Sequence, residues 1–185
     1  MGEATTAPIL DLNPVAGLLF EWRAAPANPE RDRWGVINVM AAGHPPLPLH
    51  HHKHAEETFT VESGVLDLWH NRKWNKVGPG ESYTVPRGGN HSLRNKGKVD
   101  VRLLDEHEPA FEFPHYILQL HALVATGKVK NMNRPRLNDL IYVAMLQQRH
   151  KYEITSVIPP EWATRALVSF GRRRGMRLPE PAEPT

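Results

Sequence analysis

Between residues 18 and 107, apolar positions come in short bursts rather than in long helical faces. "LLFEW" (18–22) and "WGVINVMAA" (34–42) are dense in branched and aromatic side chains, and a Pro- and charge-rich stretch (26–33) separates them. In "ETFTVES", Phe59 and Val61 alternate with Thr58 and Thr60, the two-residue period of a strand with one face buried. "VLDLW" after Gly64, then "YTVP", "HSLRN" and "VDVRLLDEH" (99–107) continue the series, with "GPGES" and "PRGGN" as turns between them. Short strands cut by Gly/Pro turns predict a mainly β protein, a sandwich or barrel.

After Pro109 the period changes. "FPHYILQLHALVATG" places Ile117, Leu120 and Val124 on one helical face, and Gly127 supplies a stop. "RPRLNDLIYVAMLQQRH" puts Leu137, Leu140, Ile141, Ala144 and Gln148 on one stripe. "PPEWATRALVSFGRRRG" opens on Pro160 near the first helical position and groups Ala163, Ala166, Leu167 and Phe170. Three amphipathic helices follow from these patterns. Their stripes are too narrow to hold them as isolated helices, so they are expected to pack on the barrel or on a second subunit. The chain thus divides into residues 1–110, an N-terminal arm plus β-barrel, residues 111–177, a helical extension, and residues 178–185, a Pro-rich tail expected to be disordered.

Composition removes several function classes. The chain has 185 residues, 40% hydrophobic and 23% charged, enough for one domain with a proper core. It has no cysteine, which excludes disulfides, thiolate ligands and cysteine nucleophiles. The net charge of +3 is too small and diffuse for a nucleic-acid surface; "RRR" at 172–174 reads as the solvated end of a helix. The first twenty residues have no basic segment followed by an unbroken apolar run, so a signal peptide is not expected, and no stretch is long enough to span a membrane. A cytoplasmic protein without nucleic-acid or membrane partners is the expectation.

The chemistry concentrates in "PLPLHHHKHAEETFTVESG", residues 46–64. In an extended chain His50, His52 and His54 share a face and His51 points away. Glu57 would fall on the wrong face unless the chain turns between Lys53 and Glu56, which polar "KHAE" permits. A second segment, "GESYTVPRGGNHSLRN" (80–95), uses Gly88 and Gly89 to deliver His91 to a strand start. Three neutral imidazoles and one carboxylate suit a divalent first-row metal, with two octahedral positions left for water, substrate or dioxygen.

These two segments resemble the paired motifs of the cupin superfamily. H-x-H-x4-E-x6-G is met by His50, His52, Glu57 and Gly64; G-x5-P-x-G-x2-H-x3-N is met by Gly80, Pro86, Gly88, His91 and Asn95. The resemblance covers about residues 34–106. It implies a jelly-roll β-barrel and one divalent transition metal per chain, held by His50, His52, Glu57 and His91. Iron, manganese, nickel, cobalt, zinc and copper all suit those ligands. It also implies a homodimer.

Around that set, Phe59, Val61 and Leu93 are expected in the barrel interior as pocket lining, with His54 as a substrate-facing candidate at the rim. His51 and Glu56 are read as bystanders. Trp22, Trp34, Trp69 and Trp74 are read as core or interface. His44, His70, His107, His115, His121 and His150 show no ligand spacing. The leading functional expectation is a metal-dependent dioxygenase, similar to monocupin dioxygenases of the quercetinase-like kind, with Glu57 as general base. Its partner would be a small, largely apolar enolic or phenolic molecule. A non-oxidative lyase, isomerase or decarboxylase and a non-catalytic ligand-binding module are the alternatives. The helical extension is read as a lid, a dimer interface or simple packing.

Overall fold

A computed structural model describes residues 7–132, 134–151, 153–156, 159–181 and 184. Strands β1 (Ile9–Asp11), β2 (Leu18–Glu21), β3 (Trp34–Met40), β10 (Val101–Glu108), β5 (Glu56–Ser63) and β8 (Ser82–Val85) form one sheet. They lie in spatial order β1-β2-β3-β10-β5-β8. A second sheet runs β11 (Thr155–Ser156), β4 (His50–His51), β9 (His91–Arg94), β6 (Leu66–His70), β7 (Lys73–Val77). The pairings are antiparallel, and both sheets bury their inner faces in one core, as a jelly roll does. A short helix α1 (Asn13–Ala16) links β1 to β2, while α2 (Phe113–Ala125), α3 (Leu137–Arg149) and α4 (Glu161–Arg173) make the extension. Among the described residues no helix is long and apolar enough to cross a membrane.

The alternation read in the sequence sets the barrel's inside. Along β5, Glu57, Phe59 and Val61 are buried while Thr58 and Thr60 are half-buried and pair outward, with Thr58 on Thr84 and Thr60 on Ser82. Along β10, Val101, Leu103, Asp105 and His107 face inward, so two of its four inner residues are polar. Gly64 turns β5 into β6 at φ +80, and a Cβ there would stand 2.6 Å from Asp100 O, so the position excludes any other residue on two counts. Asn95, the last residue of the second motif, spends its whole amide on the fold. It donates to Met40 O, Ala41 O and Val99 O and accepts from Gly97 N.

Four elements lie outside the expected set: β1, α1, β7 and β11. β7 reads "KWNKV", where charged residues hide the alternation because the strand is at a sheet edge. The three C-terminal helices fall where their periods place them, but two buried faces are rotated. On α3 the buried side chains are Ile141, Tyr142, Ala144, Met145 and Leu146 with Asp139, while Leu137 and Leu140 stay 52% and 42% exposed. The helix lies between α2 and α4 and so buries a wider arc at its centre than one stripe allows. Asp139 fixes its start by accepting from Arg136 N (2.8 Å) and Lys130 N (2.9 Å). On α4, Val168 and Gly171 are buried instead of Ala166 and Phe170, because Gly171 is where the helix crosses Ile141 of α3. In the tail, the Gln119 amide on α2 donates to Pro179 O, and residues 182, 183 and 185 lie outside the described residues.

Candidate metal centre

Strand β4 is only two residues long, and it ends at His51 because the chain bends at Lys53 and His54. That bend is the turn that the position of Glu57 required. It brings His52 back over the barrel axis and lets β5 begin with Glu57 pointing inward. On the other side His50 is the register partner of His91 across β4 and β9. The approach to His91 is a tight turn in which Gly89 comes too close for a side chain: a Cβ there would sit 2.9 Å from Pro86 O. Gly88 N donates to His52 O (2.8 Å), tying the two loops together.

His50, His52, Glu57 and His91 each bring one donor atom to a single point, all four within 4.8 Å of one another. The outer ring nitrogens are committed to acceptors. His50 Nδ1 donates to Pro48 O (2.7 Å), His91 Nδ1 to Gly89 O (3.0 Å) and His52 Nδ1 to Glu153 O (3.0 Å). A carbonyl can only accept, so each bond places a proton on Nδ1 and turns Nε2 inward. His52 Nε2, His91 Nε2 and Glu57 Oε2 are buried and face one another, with Glu57 Oε2 2.6 Å from His91 Nε2 and 3.3 Å from His52 Nε2, and none has a hydrogen-bond partner beyond these three. Buried polar atoms of native proteins are nearly always paired, so three converging orphans fit a cation rather than an empty polar cavity.

The charges agree with that reading. Burial pushes Glu57 up, but His52, His91 and His107 outweigh it and hold its carboxyl well below the usual range. Burial, with His91 and His52 nearby, leaves His50 well below its ordinary value and so neutral. At His52 burial pulls down, yet Glu57 and Glu153 prevail and push the imidazole up to about 10. Without a metal, His52 Nε2 therefore carries a proton in the place a cation would take.

Two further inward residues of β10 reach the cluster. His107 is the register partner of Glu57, and its Nε2 donates to Glu57 Oε1 (3.1 Å). Asp105 Oδ1 lies 3.6 Å from the same nitrogen, and burial together with Glu57 raises its carboxyl well above the ordinary range. Both are in phase with Val101 and Leu103, so polar residues on an apolar strand face were the signal for them. Glu153, from the turn between α3 and β11, had no such signal.

A cavity of about 110 Å³ adjoins the cluster. His50, Glu57 and Asp105 form its polar edge; Leu18, Phe20, Leu47 and Leu93 from the barrel and Phe113, Ile117, Leu120 and Val143 from the helices line it. Of the expected pocket residues only Leu93 is in this wall. Phe59 and Val61 are buried in the core, with the Phe59 ring 5.9 Å from that of His91, and His54 is exposed at the bend beside Phe111. The bend that positions Glu57 is what turns His54 outward. His51 also points away, to Asn90 (3.1 Å). Trp22 and Trp34 are buried against each other; Trp69 and Trp74 are half-buried, and the Arg94 guanidinium stacks on Trp74 at 3.5 Å, away from the centre. His44, between Ala16 O and Pro45 O, is a fold contact.

Residues 36–106 match the model of the Cupin domain family. No curated protein matches the chain. Among solved structures, an RmlC-like cupin from Shewanella frigidimarina is similar at 18% identity and TM-score 0.47, over 61% of this chain and 92% of that one. KdgF from Halomonas sp. is similar at 18% identity and TM-score 0.45, over 54% and 84%. A sugar phosphate isomerase of the cupin superfamily from Silicibacter pomeroyi is similar at 18% identity and TM-score 0.44, over 52% and 62%.

Proposed function

We propose that this chain, which belongs to the cupin superfamily through residues 36–106, is a metal-dependent dioxygenase acting on a small, largely apolar enolic or phenolic substrate. The cavity carries this reading. Helices α2 and α3 form part of its wall, most of the wall is apolar, and its polar residues are His50, Glu57 and Asp105 with Asn38, Tyr116, Gln147 and Ser156. At about 110 Å³ it is well under the roughly 300–1,000 Å³ of ordinary ligand sites, which selects a small molecule. Held by His50, His52, Glu57 and His91, a divalent ion supplies a Lewis acid and, if redox-active, a route for electrons to dioxygen.

The protein's own groups do the rest. Glu57, which faces the cavity, is the group placed to take the acidic substrate proton, and His107 holds its other oxygen in place. Phe113, Ile117 and Leu120 of α2 exclude water from the reacting end. One observation favours a second reading, a non-oxidative lyase, isomerase or decarboxylase. Two carboxyls with opposite shifts, Glu57 held low by its histidines and Asp105 pushed up by burial and Glu57, lie on the same wall, the pattern of an acid–base pair. Sugar phosphates suit that wall poorly, because it contains no lysine or arginine among the described residues.

Oxygen-electrode screening of metal-loaded protein against catechols, 1,3-diketones and flavonols separates the readings. Oxygen uptake with a small 1,3-diketone or catechol, lost in His91→Ala, is the expected result. Turnover under anaerobic conditions would transfer the proposal to the second reading. Tight binding without turnover would make the chain a ligand-binding module.

A further inference from the structure

The four ligand candidates all lie within residues 50–91, yet the carboxylate nearest to their outer side comes from far along the chain. Glu153 sits in the turn between α3 and β11 and is 3% exposed. Its carbonyl accepts from His52 Nδ1 at 3.0 Å, and its Oε1 lies 3.3 Å from the same nitrogen. That Oε1 is also 3.5 Å from His107 Nδ1, and Oε2 accepts from Glu112 N (3.2 Å) at the start of α2. Thr155 and Ser156, the residues that follow, pair with His51 and His50 as β11 beside β4. The C-terminal extension therefore adds a strand to the sheet that carries the histidines.

These contacts close a ring. Glu57 Oε1 meets His107 Nε2 at 3.1 Å, His107 Nδ1 meets Glu153 Oε1, Glu153 meets His52 Nδ1, and His52 Nε2 lies 3.3 Å from Glu57 Oε2. Two of the four members are ligand candidates, and Glu153 is the only member from outside the barrel. We infer that Glu153 is a positioning residue of the metal centre: it fixes His52 in the Nδ1–H tautomer, steadies Glu57 through His107, and adds a second negative charge beside the cation. Glu57 alone neutralises half of a divalent charge, and Glu153 adds a second carboxylate 3.3 Å behind His52. A carboxylate behind a ligating imidazole raises its basicity as a donor and locks its ring plane. It follows that the barrel of residues 36–106 does not contain its whole metal centre.

The inference rests on the metal-site reading above, so the experiment uses cobalt(II) alone as probe on the full chain. The variants are Glu153→Gln, which keeps the shape and loses the charge, Glu153→Asp, and His91→Ala as the no-binding control. Cobalt affinity by chelator competition should fall roughly 10- to 100-fold in Glu153→Gln, less in Glu153→Asp, with a shifted cobalt visible spectrum in both. A merely structural contact would lower stability and leave that spectrum where it is in the wild type. Long-range 15N–1H spectra of the zinc-loaded wild type check the same point without a variant, and should place the His52 proton on Nδ1. A Glu153→Gln protein with wild-type affinity and an unchanged spectrum overturns the inference and leaves the metal site standing, whereas a His52 proton on Nε2 in the zinc-loaded protein overturns both. A wild type that takes up no cobalt overturns both.

Discussion

Helices α2 and α4 are both thirteen residues long and both belong to the extension, but the fold uses them differently. α2 buries eight residues, and its Phe113 ring stacks on His107 at 3.5 Å and meets His52 edge-on at 5.7 Å. α4 buries Val168 and Gly171, rests on α3, and leaves Trp162 73% and Phe170 44% exposed. The inner helix is part of the barrel's core and closes the space over Glu57; the outer one is a layer removed from it. Amphipathic period alone does not separate a helix that completes a site from one that covers another helix.

The largest effect that would test this contrast is at Phe113. Phe113→Ala empties a buried ring site and should cost about 3–5 kcal/mol in denaturant unfolding, with weaker metal retention because His107 and His52 lose their packing. Normal metal retention in a folded Phe113→Ala protein would detach α2 from the centre. Gly171→Ala is the matching test on the outer helix. A Cβ there would stand 2.4 Å from Ile141 Cγ2, so overpacking less the helix propensity gained should leave a loss of about 1–2 kcal/mol. Metal content should not change; if it does, α4 is coupled to the site after all.

Acidity probes the inner region alone. His52, held up to about 10 without metal, must give up its Nε2 proton when a cation binds. Proton and metal compete, so affinity should strengthen as pH rises from 6 to 8, by about tenfold per unit for one displaced proton. Calorimetry in buffers of different ionisation enthalpy would detect that proton, and a flat affinity with no proton released would contradict the electrostatic account. The smallest effect belongs to Trp162→Ala, which should leave stability within about 0.5 kcal/mol and metal content unaltered. A large loss in thermal melting would show that the outer helix is covered in solution.

Much of the barrel and the cluster was legible because strand parity is a strict rule. His50 and His52 one period apart, a bend before Glu57, and a glycine turn before His91 were enough to bring four donors together. His107 and Asp105 were legible in principle, as polar residues in phase with Val101 and Leu103, but a search for ligand spacing passes over them. They meet Glu57 through the pairing of β10 with β5, which is a long-range register. Glu153 was not legible. It arrives by a turn after a helix, and the two-residue β11 that anchors it has no pattern of its own. The helical faces of α3 and α4 were misread for a related reason: which arc is buried depends on neighbouring helices, and the chain's own period does not contain them.

The chemistry at the barrel's centre turns on whether the four donors hold a metal in solution. Elemental analysis of the untagged chain, purified without added metal and then loaded and desalted, measures this directly. The wild type should retain about one equivalent of a divalent transition metal, and His50→Ala and Glu57→Ala should each lose nearly all of it while remaining folded. Equal metal content in the wild type and both variants would contradict the claim that His50, His52, Glu57 and His91 form the centre.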